Sequence, residues 1–269
     1  YASSSFRTPA MRPSLSRCAR LSTNTSTSTQ PQPPAESVEI TVTKSPNDSR
    51  EYKYLVLPNK LRVLLVSDPT TDKSAAALAV YRGSFHEPAN RPGLAHFLEH
   101  MLFIGTEKYP EVDTFQNFIT GNGGSSNAYT APDHTNYFFN VQPSGFAEGL
   151  DRFAHFFIDP LLTPEYVDRE KNAVNSEYQM QIKQDSWRQM MVAKLAMNPA
   201  HPGSKFTIGS LETLDGDVKA DLDKFKTEHY SADQMGLVAL SDQSIAAMQT
   251  WIVPLFSSIP NSDIGPDYP

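Results

Sequence analysis

The sequence predicts an α+β fold. Short alternating and apolar runs bounded by turn residues fill its early part, helical periodicity takes over after Pro92, and hairpins mix with helices instead of alternating with them strand by strand. A doubly wound parallel sheet requires regular strand–helix alternation, so the mixed order selects α+β. There is no internal repeat.

The elements follow in order. Residues 1–36 are rich in Ser, Thr and Pro, carry Arg7, Arg12, Arg17 and Arg20, and hold no acid before Glu36. This composition does not pack, and it reads equally as a solvated tail or as a mitochondrial transit peptide. The folded domain is expected over 37–269, beginning with an alternating strand at Glu39–Thr43. Tyr52–Leu57 and Leu61–Val66 flank Pro58-Asn59-Lys60 and predict a β-hairpin. Ala75–Tyr81 is a further strand, ended by Gly83, and a helix follows Pro92 through Ile104. Asp113–Thr120 reads as helix, Ser126–Thr130 and Tyr137–Val141 as strands, and Ser144–Ile158 as a helix with Phe146, Leu150 and Phe153 on one face. Pro164 starts a long polar helix that is expected to run past Glu170, Glu177 and Trp187 towards Asn198-Pro199. A helix near Asp217–His229, a strand at Leu237–Leu240 and a last helix complete the pattern.

Composition narrows the function classes. A net charge of −7, with no basic face beyond the N-terminus, argues against nucleic acid as a partner. No apolar run reaches bilayer-spanning length. Cys18 is the single cysteine, so neither an internal disulfide nor a thiolate metal cluster can form.

The chemistry concentrates on the helix after Pro92, where His96-Phe97-Leu98-Glu99-His100 spells H-x-x-E-H, the inverzincin zinc pattern. Residues four apart share a helix face, so His96 and His100 can aim imidazole nitrogens at one ion. Glu99 beside them can act as a base on water without being a ligand. A His pair on a helix is more often a surface or satisfied core feature, yet Glu99 would sit among apolar neighbours with no cation in its own turn. A metal ion supplies that charge. Catalytic zinc takes three protein ligands, and the third is expected from Glu170 or Glu177, seven residues apart on one helix face, with the choice between them open and His134 or His155 also acceptable.

The run His96 to Pro110, with Gly124–Thr130, His134–Tyr137, Asp168-Arg169-Glu170 and Asn175-Ser176-Glu177, resembles the insulin-degrading-enzyme branch of the pitrilysin-type (M16) peptidases, with fungal pheromone-maturing members nearest. The resemblance covers essentially all of residues 37–269 and implies a mostly antiparallel sheet backed by helices. It implies one Zn2+ held by His96, His100 and Glu177, Glu99 as catalytic base, and Glu170 supporting the ligands from behind. Asn127 and Ala128 match the edge strand on which a peptide substrate pairs through its main chain. The implied enzyme is a four-domain chain of cytosol or mitochondria, closing as two halves, of which only the first domain is present. Such a chain is expected to bind zinc but to cleave peptides weakly or not at all on its own.

Two other readings compete. A catalytically silent scaffold or substrate-binding subunit of the same fold would generally have lost the metal residues, all of which stand here. A structural zinc domain would close four protein ligands and leave no position for water. A His2Glu site also accepts cobalt or manganese, but zinc fits best.

Overall fold

The computed structural model describes residues 42–266. The segment 1–36, residues 39–41 of the first expected strand and the last three residues of the chain therefore lie outside the described residues, and Val42 and Thr43 carry no regular structure.

The expected hairpin forms from Glu51–Val56 (β1) and Arg62–Ser67 (β2), antiparallel with Glu51 opposite Ser67 and Val56 opposite Arg62. Lys60 closes the turn at a φ of 69°. The buried Asn59 side chain donates to the carbonyls of Phe256 and Ile259 at 2.8 and 3.0 Å, which ties this turn to the far end of the fold. Ser74–Val80 (β3) precedes the helix Leu94–Leu102 (α1), and Thr114–Gly121 (α2) leads into the hairpin Ser125–Thr130 (β4) and Thr135–Val141 (β5). One turn of 3-10 helix at Pro143–Gly145 opens into Phe146–Ile158 (α3).

The long polar helix expected after Pro164 is two helices, Pro164–Gln181 (α4) and Asp185–Leu195 (α5). Gln184, at φ −90° and ψ 134°, is extended and breaks the run. Neither Gly nor Pro marks the break. It is stabilised by side chains instead: Arg188 Nε donates to the freed Ile182 carbonyl at 3.0 Å, and Asp185 places an acid in the first turn of α5, where the helix dipole favours it. Val218–His229 (α6), capped by the Asp217 side chain, then leads to Met235–Ser241 (β6) and Ile245–Phe256 (α7).

The six strands form one sheet in the order β1-β2-β6-β3-β5-β4. Pairing is antiparallel except between β2 and β6, where Arg62 stands beside Gly236 in parallel register. The mostly antiparallel α+β arrangement is thus present. Alternate residues of one face are buried, including Leu78 and Val80 on β3, Tyr137 and Phe139 on β5, and Leu237 on β6. The amphipathic α3 lays Phe153 and Phe157 on that face, with ring centroids 5.2 Å from Phe139 and 5.3 Å from Tyr137 respectively. Each such buried aromatic contributes roughly 1.5–3 kcal/mol by leaving water. β4 ends the sheet, so its outer edge is unpaired among the described residues.

Candidate metal centre

α1 is buried on nearly every face, with Leu94, Ala95, Phe97, Leu98, Met101 and Leu102 in the core. The exception is the stripe carrying His96 and His100, which α4 covers with Glu170, Val174 and Glu177, residues spaced for one helix face.

The start of α1 is built by groups distant in sequence. Glu87 acts as a remote cap, its two carboxylate oxygens each accepting a backbone N–H, from Gly93 and Ala95, at 2.9 Å. Gly93 takes φ 93° and lies against Gly209 so closely that a Cβ there would stand 2.3 Å from the Gly209 Cα. This approach brings the preceding carbonyl, Ile208, to His96, whose Nδ1–H donates to it at 2.7 Å. The His96 lone pair is therefore on Nε2.

His100 Nδ1 lies 3.5 Å from Glu170 Oε2, which likewise turns its Nε2 inward. The two Nε2 atoms are 3.3 Å apart, and Glu177 Oε2 is 3.5 Å from that of His96 and 3.7 Å from that of His100. Three acceptor atoms facing one another repel unless a cation stands between them. A tetrahedral ion with donors about 2.0–2.1 Å away sets its ligand atoms about 3.3–3.4 Å apart, close to the spacing found. The donor set therefore fits a divalent metal. Among the described residues, His96, His100 and Glu177 form the one group of three or more His, Cys or acid side chains whose ligand atoms all lie within 4.8 Å of each other.

The electrostatics agree. Burial opposes the charge on His100, but Glu170, Glu177 and Glu99 outweigh it and lift the imidazole to about 9, so without a metal a proton takes the cation's place. His100 holds the carboxyls of Glu170 and Glu177 below their ordinary range. Glu99 is only 7% exposed and stays outside the donor set. Burial raises its carboxyl, and the Thr130 hydroxyl, donating to Oε2 at 2.6 Å, pulls it back.

A cleft of about 320 Å3 opens beside the site, lined by Glu99, His100, Asn127, Ala128, Arg169 and Glu170 among others. Asn127 Oδ1 accepts the Ala128 N–H at 2.9 Å, so that amide is directed away from β5 towards the free edge of the sheet. His134 and His155 lie elsewhere. His134 pairs with Asp133 at 2.8 Å and His155 with Asp159 at 2.8 Å, and neither joins the donor group. Sequence reasoning missed Glu87, Thr130 and the Ile208 carbonyl, each of which acts through space on the helix or the site and leaves no local spacing to find.

Residues 62–204 match the model of the family described as Insulinase (Peptidase family M16). The chain belongs to this family. The M16 domain is 45% identical to the insulin-degrading enzyme of Mus musculus over 84% of this chain and 23% of that protein. It is 42% identical to the A-factor-processing enzyme of Saccharomyces cerevisiae over 80% of this chain and 22% of that protein. Its fold superposes on the crystal structure of pitrilysin with a TM-score of 0.84 at 38% identity, covering 87% of this chain and 26% of that one. The M16 domain thus spans about a quarter of the length of these relatives.

Proposed function

We propose that this chain is the zinc-binding catalytic domain of a metalloendopeptidase that hydrolyses peptide bonds in short peptides. The observation that carries this reading is the convergence of His96, His100 and Glu177 with Glu99 beside them but outside the donor set. The three donors would hold one Zn2+, their rings fixed from behind by Ile208 and Glu170. When bound, the ion supplies a Lewis acid that polarises the peptide carbonyl and eases loss of a proton from water. Glu99 accepts that proton and returns it to the leaving amine, a task for which a buried carboxyl with a raised pKa suits neutral pH. The outward Ala128 amide and the rest of the β4 edge pair with the main chain of the substrate, Asn127 yielding its hydrogen bond in exchange.

The relatives are about four times as long, and further domains are expected to complete the substrate-binding surface. The retained donor set weighs against a catalytically silent scaffold role. No helix among the described residues is long and apolar enough to cross a membrane, and of cytosol and mitochondria as compartments the Arg-rich N-terminus tilts slightly towards mitochondrial import.

The test is metal analysis of the purified chain beside Glu177→Gln, each also assayed with an exposed fluorogenic peptide. One zinc per chain, lost in the variant, is expected, with weak or no cleavage until the remaining domains are present. No bound metal under zinc-replete conditions would sink the reading.

A further inference from the structure

The same strand that offers its edge to a peptide also grips the candidate base. Ser126, Ala128 and Thr130 alternate onto the half-buried face of β4, and Thr130, its last residue, donates its hydroxyl to Glu99 Oε2 at 2.6 Å. With Oε2 engaged by Thr130, Oε1 is left to handle a proton.

The hydroxyl is held unusually firmly. Thr130 pairs with Thr135 across the hairpin, and beyond it Ala131 N donates to the His134 carbonyl at 2.8 Å. The tip of the hairpin is docked in turn, with Ser84 N donating to the Ala131 carbonyl at 3.1 Å and Phe85 N to that of Pro132 at 2.8 Å. Gly83 permits this approach, since a Cβ there would stand 2.1 Å from the Ala131 oxygen. The Thr135 hydroxyl donates to the Arg82 carbonyl at 3.0 Å, a further tie between the two segments. On this clamped backbone a β-branched side chain keeps one rotamer.

We propose that Thr130 is a positioning residue for catalysis: its hydroxyl fixes the rotamer of Glu99, so that one rigid strand sets both the peptide backbone, through Ala128, and the base that acts on it. The inference rests on the reading of Glu99 as base. It places Ala128 and Thr130 two residues apart on one strand, so substrate and base share one frame within this domain.

The test uses the full-length enzyme carrying this domain, with Thr130→Val, Thr130→Ser and Glu99→Gln side by side. Valine keeps the shape and removes the donor; serine keeps the donor. Expected are one zinc per chain and an unchanged Co2+ absorption spectrum in all three variants, and kcat lowered about 10- to 100-fold in Thr130→Val with KM unaltered. Thr130→Ser should recover most of that loss. Wild-type kcat in Thr130→Val, equal loss in both threonine variants, or loss of metal in Thr130→Val would overturn the proposal. Glu99→Gln separates the two readings: full activity there removes Glu99 as base and the proposal with it. An inactive Glu99→Gln beside a fully active Thr130→Val removes only the role of Thr130.

Discussion

Glu170 and Glu177 stand two turns apart on α4 and address opposite nitrogens of one imidazole: Glu170 Oε2 is 3.5 Å from Nδ1 of His100, and Glu177 Oε2 is 3.7 Å from its Nε2. Two acids of the same kind on the same helix face are thereby given different work. One steadies the ring and the other faces the space between the donors.

Metal affinity should divide the two. Glu170→Gln leaves all three donor atoms in place and is expected to weaken zinc by about 10- to 100-fold. Glu177→Gln removes a charged donor and should prevent stoichiometric binding. Competition against a chromophoric chelator measures both, and a ranking opposite to this would reassign the third ligand.

Glu99→Gln should dissociate binding from turnover. The amide fills the same volume and can still accept from Thr130, so zinc content should match the parent. Peptide cleavage by the full-length enzyme should fall about 10²- to 10⁴-fold, the usual contribution of a positioned base. Zinc loss in this variant would instead make Glu99 a ligand.

Gly93→Ala tests the helix start. A side chain at φ 93° carries about 1–3 kcal/mol of strain, and its Cβ meets the Gly209 backbone at 2.3 Å, which cannot yield as a flexible side chain would. The loop carrying Ile208 must then withdraw from His96. Urea unfolding should show the loss of stability, and zinc titration a weaker site. Unchanged values in both would mean that the contact of Gly93 with Gly209 does not position the imidazole.

Glu87 gives the fold a pH dependence of its own. Burial pushes its carboxyl up to about 8 from the ordinary 4.5, against the pull of the Gly93 and Ala95 amides. The folded chain therefore holds a proton that the unfolded chain releases. This contribution to stability is full below pH 4.5 and is lost as the pH rises through about 8. Glu87→Gln has no such proton, so the Tm of the parent relative to the variant should decline across that interval. A constant difference between the two melting curves would show that Glu87 is ionised throughout, held by its two amide donors.

The parts legible in the sequence are those in which the determining residues are neighbours. The hairpin around Pro58-Asn59-Lys60 and the His96/His100 pair depend on spacings of a few residues, and both elements lie where the pattern puts them. The break at Gln184 was hidden because a polar helix without Gly or Pro looks continuous, and its stabilising contact comes from the Arg188 side chain. The residues alone favoured the acids Glu170 and Glu177 without choosing between them, and also admitted His134 and His155. Packing of α4 on α1 brings the first two to the imidazoles, while local acids engage the other two. Ile208 acts through its main chain, to which side-chain patterns are blind.

The position of β6 has a consequence for biosynthesis. It is the last strand among the described residues, yet it lies between β2 and β3 in the middle of the sheet. On a ribosome, both hairpins and every residue of the zinc site emerge before it does. Until residues 235–241 leave the exit tunnel, β2 and β3 have no strand between them to join the two sides. A chain halted short of Met235 would therefore expose two open strand edges to other nascent chains, a state that recruits chaperones or aggregates. Closure of the six-stranded sheet awaits β6, however early His96, His100 and Glu177 are translated.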